Sequence, residues 1–318
     1  MTDFAFNRAW THVLAAGHLT LGLMTPLARA PGEPADLARE TALAARADAL
    51  GFAALWTRDV PLIVPQGSAR EAAVLDDPFI WLALLAGATR SAALGTAAAV
   101  LPLRHPLHVA KAAWSLDRLS GGRFILGVGS GDRPEELAPF GVDSAPEVLF
   151  RERWQTLVGA LSTDADVRGE LLASTGGYAP TPAPAARIPL LAVGTARQSL
   201  QWIAAHADGW ATYHREEARQ QGRIALWQRA LEERAGGARK PFVQSLQLEL
   251  LADPHAPAEP LELGLRAGRI ALLGYLERMA GLGVAHMLVN LQGPRPVADQ
   301  VEELGREIVP RLPTLAVG

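Results

Sequence analysis

Two short stretches, Gly127-Val128-Gly129-Ser130-Gly131 and Gly194-Thr195-Ala196-Arg197-Gln198-Ser199, hold the residue types that bind anions without a metal. Each follows an apolar run that reads as a strand. In the second, N–H groups at the start of a predicted helix and the positive end of its dipole suit a phosphate, with Thr195 and Gln198 as added donors. Thr195 as a plain helix cap is the competing reading. The first stretch is not a dinucleotide fingerprint. It follows the fourth predicted strand, not the first, and lacks a third glycine at the required spacing. Close approach of main chain to a ligand, with Ser130 donating to phosphate, accounts for it better.

The candidates for contact with substrate are Arg58, Asp59, His105, Tyr213 and His214. Arg58 and Asp59 follow the second predicted strand, where they either face a ligand or pair with each other. His105 and His108 flank Pro106 near a helix start. With no third ligand in sequence, capping or a surface position fits them better than a metal site. His214 follows the sixth strand and is the better site histidine, whereas His206 and His286 read as structural. No Ser–His–Asp pattern or nucleophile elbow is present.

Composition narrows the class. The chain of 318 residues is 49% hydrophobic with a net charge of −3, which gives no basic field for nucleic acid or anionic membrane. It contains no cysteine, which excludes disulfides, thiolate nucleophiles and thiolate metal sites and suits a cytoplasmic protein. Ala28-Arg29-Ala30 resembles a signal-peptidase site. However, Asp3, the lone Arg8 and the interruptions at His12, Gly17 and His18 argue against a signal peptide. No membrane span is expected.

Eight strand-like runs, at 19–24, 52–57, 92–101, 123–128, 189–193, 209–213, 242–250 and 284–291, alternate with helical patterns. That alternation predicts an α/β fold, a single (β/α)8 TIM barrel over 1–318 with insertions in the βα loops; a doubly wound sheet is the alternative. Residues 1–18 form an N-terminal arm. The Gly-, Ala- and Pro-rich segment 164–188 is expected as an irregular insertion over the barrel mouth, a lid together with 60–75. In a barrel the reactive groups follow strands, so Thr25, Thr57, Arg58, Asp59, Ala97, Ala98, Ser130, Thr195, Tyr213, His214, Asn290 and Gln292 should converge.

The segments GFAALWTRD (51–59), GTAAAVLPLRHP (95–106), LDRLSGGRFILGVGSG (116–131) and PLLAVGTARQSLQWIAAHADGWATY (189–213) together resemble the bacterial luciferase-like flavin monooxygenases. The resemblance implies a barrel that binds reduced FMN, or in some branches F420, at its C-terminal mouth, and a flavin-dependent monooxygenase acting on a small-molecule substrate. It also implies a separate flavin reductase as partner and a homodimer formed through the early helices. F420-dependent hydride transfer and a non-catalytic flavin-binding protein are the alternatives. The family carries a non-prolyl cis peptide behind the flavin ring, and the matching pair is Ala97-Ala98. Trp56, Thr57, Thr96, Ala97, Ala98 and Gly129 are implied around the ring, and Ser130, Gly194, Thr195, Arg197 and Gln198 around its phosphate. Luciferase's catalytic histidine is matched by Val60 and the cysteine near its flavin by Gly129, so light emission is not expected.

Overall fold

The computed structural model describes residues 5–27, 33–62, 74–142, 145–178, 181 and 185–318. Its strands are mostly apolar on both faces and therefore need cover on both sides. In chain order they are β1 (Thr20–Met24), β2 (Ala54–Thr57), β3 (Ala93–Thr96) with its short continuation β4 (Ala99–Val100), β5 (Phe124–Gly129) and β6 (Leu190–Val193). β7 (Gly209–Tyr213), β8 (Phe242–Leu250), a hairpin of β9 (Glu259–Leu261) and β10 (Gly264–Ala267), and β11 (Val284–Gln292) complete the set. β1, β2, β3, β5, β6, β7, β8 and β11 pair in parallel in that order, and β11 pairs with both β8 and β1. The ring is closed: this is a TIM barrel.

The helices are α1 (Leu37–Ala49), α2 (Pro78–Ala88), α3 (Pro106–Ser120), α4 (Pro146–Leu161), α5 (Ala165–Ser174), α6 (Leu200–His206), α7 (Glu217–Ala235), α8 (Arg269–Gly281) and α9 (Val297–Glu303). Their starts follow from capping chemistry. The Asp36 carboxylate accepts from the N–H groups of Ala38 and Arg39, and Asp77, just before Pro78, accepts from Phe79 and Ile80. An apolar layer between helices and strands forms the larger core.

A second apolar cluster takes at least one residue from each of the eight barrel strands, including Met24, Trp56, Ala93, Ile125, Leu191, Ala211, Val243 and Leu288, and none from α1–α9. It therefore fills the barrel interior. Ala9, Val13 and Leu14 of the N-terminal arm join it. The arm is tied to the strand starts, with the Thr20 hydroxyl donating to Val13 O and the Asn7 amide to Phe124 O. It plugs the end of the barrel opposite the mouth.

One polar chain crosses this interior. The Trp56 indole N–H donates to His286 Nε2 at 2.9 Å, and His286 Nδ1 lies 2.7 Å from Thr20 Oγ1. Since Thr20 donates its own proton to Val13 O, Nδ1 carries the imidazole hydrogen and the ring is neutral. Complete burial holds its pKa down at about 3.

Three sequence expectations need correction. The run 92–101 is not one strand, because it breaks at Ala97-Ala98 between β3 and β4. Segment 164–188 contains α5, which packs against α4. Nor do its described residues line the cleft at the mouth: the segment joins a helix end to the start of β6, and Arg187 bonds to Ala5 O and Asn7 N at the plugged end. A connection from helix back to strand must return to the strand-start face. Of the other expected lid, 60–75, residues 63–73 lie outside the described residues. The mouth-side excursions visible are 130–142 after β5 and the β9–β10 hairpin after β8.

Candidate active site

The break between β3 and β4 makes the floor of the site. The Ala97–Ala98 peptide bond is cis. Ala97 N donates to Thr57 O at 2.8 Å, and Ala98 O accepts from Asp59 N at 3.2 Å. The Asp59 carboxylate accepts from Val100 N at 3.0 Å and from the Arg104 guanidinium at 2.6 and 2.8 Å. Asp59 thus pairs with Arg104 rather than with Arg58, and clasps the chain on both sides of the bend. On the other edge the Thr96 hydroxyl donates to Gly127 O and accepts from Gly127 N. It replaces the ladder bonds that the bend removes.

The glycines divide into two uses. A Cβ on Gly95 would come 2.3 Å from the Trp56 ring, and one on Gly127 would come 2.2 Å from Thr96 O, so both serve close packing beneath the floor. Gly129 instead lines a cleft of about 1130 Å³, together with Ala97, Ala98, Ser130 and Gly131. A Cβ there would sit 3.2 Å from Ala98 Cβ. Backbone and methyl groups alone form this floor.

The opposite wall is the turn after β6. Gly194, Ala196 and Arg197 all have positive φ (66°, 47° and 55°), unusual for the two that are not glycine. The Thr195 hydroxyl accepts from Arg197 N at 3.3 Å, while Trp210 Nε1 donates to Gly194 O at 2.7 Å. Helix α6 begins only at Leu200, capped by Ser199. Neither a cap at Thr195 nor a helix N-terminus at Gly194 is formed, because the left-handed turn intervenes.

The cleft gathers Arg58, Asp59, Ala97, Ala98, Gly129, Ser130, Gly194, Thr195, Arg197, Gln198 and Tyr213. Gln198 spends its amide hydrogens on Glu147 O and Ala196 O, and its side-chain oxygen accepts from Arg151. It holds the turn to α4 rather than pointing a free donor at a ligand. Trp56, Thr57 and Thr96 are buried below the floor and do not line it. His105 caps α3 by accepting from Leu107 N. His214 turns away from the cleft, 3.0 Å from the Tyr275 hydroxyl. Neither histidine lines the cleft.

Sequence reasoning missed Glu136, Arg133, Arg215, Arg219 and Arg223, all of which line it. Glu136 is buried, and burial raises its carboxyl pKa although Arg133 lies 3.2 Å away. The Tyr213 hydroxyl is also raised, by local desolvation and then by Asp132, although the residue as a whole is 48% exposed. Both are groups that hold protons more tightly than usual, as active sites often arrange. Among the described residues no cluster of three metal-type ligands occurs.

Residues 15–257 match the model of the luciferase-like monooxygenase family. The chain belongs to that family. It is similar to a 4-hydroxyprotoasukamycin monooxygenase of Streptomyces nodosus subsp. asukaensis, at 36% identity over 39% of this chain and 31% of that relative. It also resembles an alkanal monooxygenase alpha chain of Photorhabdus luminescens, at 35% identity over 28% of this chain and 24% of the relative. The matched stretch thus spans less than a third of either relative. An F420-dependent secondary alcohol dehydrogenase shares the fold with a TM-score of 0.72 at 14% identity, covering 92% of this chain and 98% of that one. So does the oxygenating constituent of 3,6-diketocamphane monooxygenase from Pseudomonas putida, in complex with FMN, with a TM-score of 0.65 at 15% identity over 93% and 99% of the two chains. In this luciferase-like chain, no helix among the described residues is long and apolar enough to cross a membrane.

Proposed function

We propose that this luciferase-like chain is a flavin-dependent monooxygenase that takes reduced FMN from a separate reductase and oxidises a small organic substrate. The observation that carries the reading is the floor of backbone and methyl groups at Ala97-Ala98 and Gly129, facing a polar turn at Thr195 to Arg197. A flat ring fits such a floor, since a Cβ at position 129 would already press on Ala98 at 3.2 Å. Ala97, Ala98 and Gly129 would hold the ring, and Ser130, Thr195 and Arg197 the phosphate. The two relatives described above, both over 30% identical in the matched stretch, are named monooxygenases, which favours FMN over F420.

Bound reduced flavin supplies the electrons that activate oxygen. The chain's own residues bind, shield and move protons. Val60, Val100 and Val193 line the cleft and keep water from the ring's place. The Tyr213 hydroxyl, a phenol whose already high pKa is raised further, is a hydrogen-bond donor facing the cleft. Glu136, also raised and beside Arg133, is the carboxyl placed to take or return a proton. Val60 has no such capacity.

Anaerobic titration separates the cofactors. Reduced FMN should saturate at micromolar concentration and F420 should not, and a flavin reductase with substrate present should then drive oxygen uptake. Tight F420 binding without FMN binding would replace this reading with hydride transfer. Failure of both below about 1 mM, a binding free energy near −4 kcal/mol, would remove it.

The assembly proposed is a homodimer through α2. This helix is apolar around its whole circumference, yet Ile80 is 72% and Leu84 39% exposed. Sedimentation should give twice the 33.8 kDa of one chain, and Ile80→Asp should give one chain's mass.

A further inference from the structure

The cleft continues from the floor into a groove between α6 and α7, where its charge becomes one-sided. Six arginines line the whole cleft against three carboxylates, on a chain whose net charge is −3. Asp59 and Glu136 are held by Arg104 and Arg133. Asp132 sits toward Tyr213 and forms no salt bridge among the described residues.

Arg219 and Arg223 lie one turn apart on the first turns of α7, and Arg215, just before the helix, is near enough to Arg223 to lower its pKa; all three line the cleft. None of them forms a salt bridge to a carboxylate among the described residues. Arg219 and Arg223 are like charges four residues apart within the helix and repel each other, so their placement does not serve stability. Arg223 is fixed by its guanidinium, which donates to Thr212 Oγ1 at 3.0 Å and to Tyr213 O at 3.2 Å, both uncharged acceptors. Burial and then the neighbouring Arg215 lower its pKa, the mark of a cation lacking a counter-charge. Leu200, Ile203 and Leu226 give the same groove an apolar side, and Leu226 is 57% exposed.

We propose that this groove binds the carboxylate or phosphate of an elongated substrate, with the substrate's apolar part lying along Leu200, Ile203 and Leu226. Its arginines are different residues from those of the turn at Thr195 to Arg197, which lines the same cleft. It deepens the monooxygenase reading, on which it rests for the place where the substrate is oxidised. Arg215, Arg219 and Arg223 would anchor the anion at one end, and the reacting end would reach toward Ala97-Ala98.

The probes are n-octyl phosphate and n-octanol, titrated by calorimetry into wild type and into the double variant Arg215→Ala with Arg219→Ala, with and without reduced FMN. Octyl phosphate should bind wild type at least about tenfold more tightly than octanol, as charge-assisted hydrogen bonds of about 1.5–3 kcal/mol imply. The double variant should lose that preference, bind octanol as before, and keep its affinity for reduced FMN. Unchanged octyl phosphate binding in the double variant overturns the proposal. So does a parallel loss of reduced FMN, which would assign the arginines to the cofactor's phosphate. A loss confined to F420 would assign them to that cofactor's acidic tail, and equally overturns it. Were wild type to bind no flavin yet keep its arginine-dependent preference, the cofactor reading would fail while the anion site stood.

Discussion

Gly129→Val should weaken binding of reduced FMN by at least about a hundredfold and leave the barrel folded. The Cβ alone would lie 3.2 Å from Ala98 Cβ and 3.6 Å from Val193 O, and the two further methyl groups have only the cleft to occupy. They would stand where the ring is proposed to lie. A hundredfold loss is about 2.7 kcal/mol. Burying an aromatic system of some 150–250 Å² contributes roughly 4–6 kcal/mol, so displacing half of it is enough. Gly129 has no positive φ, so the valine backbone is not strained. Circular dichroism should match wild type, and Gly129→Ala should fall between the two. Binding of reduced FMN by Gly129→Val within about threefold of wild type would show that the ring sits elsewhere.

The second large effect concerns stability in acid. His286 titrates at about 3 in the folded barrel, against about 6.5 in an unfolded chain. Between those values the unfolded state binds the extra proton, so stability rises with pH there. The contribution of a neutral His286 is complete above about pH 6.5 and drains away as pH falls toward 3. At 1.36 kcal/mol per pH unit the loss is of the order of a few kcal/mol, large beside a typical domain stability of about 5–15 kcal/mol. Asp117 and Asp208 act in the opposite sense, because burial raises both and folding is relieved when they protonate. The clean reading is therefore the difference between wild type and His286→Gln. Glutamine keeps an acceptor for Trp56 but cannot charge. Urea unfolding from pH 7 to pH 4 should show a steeper loss for wild type, and parallel curves would mean that His286 is not held neutral.

Much of this architecture is written in local patterns. The eight strands carry apolar runs bounded by Gly, Pro and Asp, and caps such as Asp77-Pro78 mark helix starts in plain sequence. Clefts on a TIM barrel open after strands, which places Arg58, Ala97, Ser130, Thr195 and Tyr213 together without coordinates. What sequence conceals is the direction in which a side chain points. Thr96 and Ala97 are neighbours, yet one laces β3 to β5 and the other faces the cleft. Gly127 and Gly129 differ in the same way, one filled by Thr96 O and one open. His105 and His214 follow a loop and a strand as expected, but His105 is used to cap its own helix and His214 by the distant Tyr275 hydroxyl. Asp59 found Arg104, 45 residues away, rather than the adjacent Arg58. The row at 215, 219 and 223 did carry a readable signal, a four-residue repeat after a strand end. Its meaning needed the finding that none of the three forms a salt bridge among the described residues, which is a property of the folded surface.

The most direct test is a structure of the chain crystallised with FMN. The predicted result is a ring stacked on the Ala97–Ala98 peptide and Gly129, with its phosphate on Ser130, Thr195 and Arg197. A flavin resting on the α6–α7 wall, or density for it anywhere that leaves those two alanines uncovered, would contradict the account.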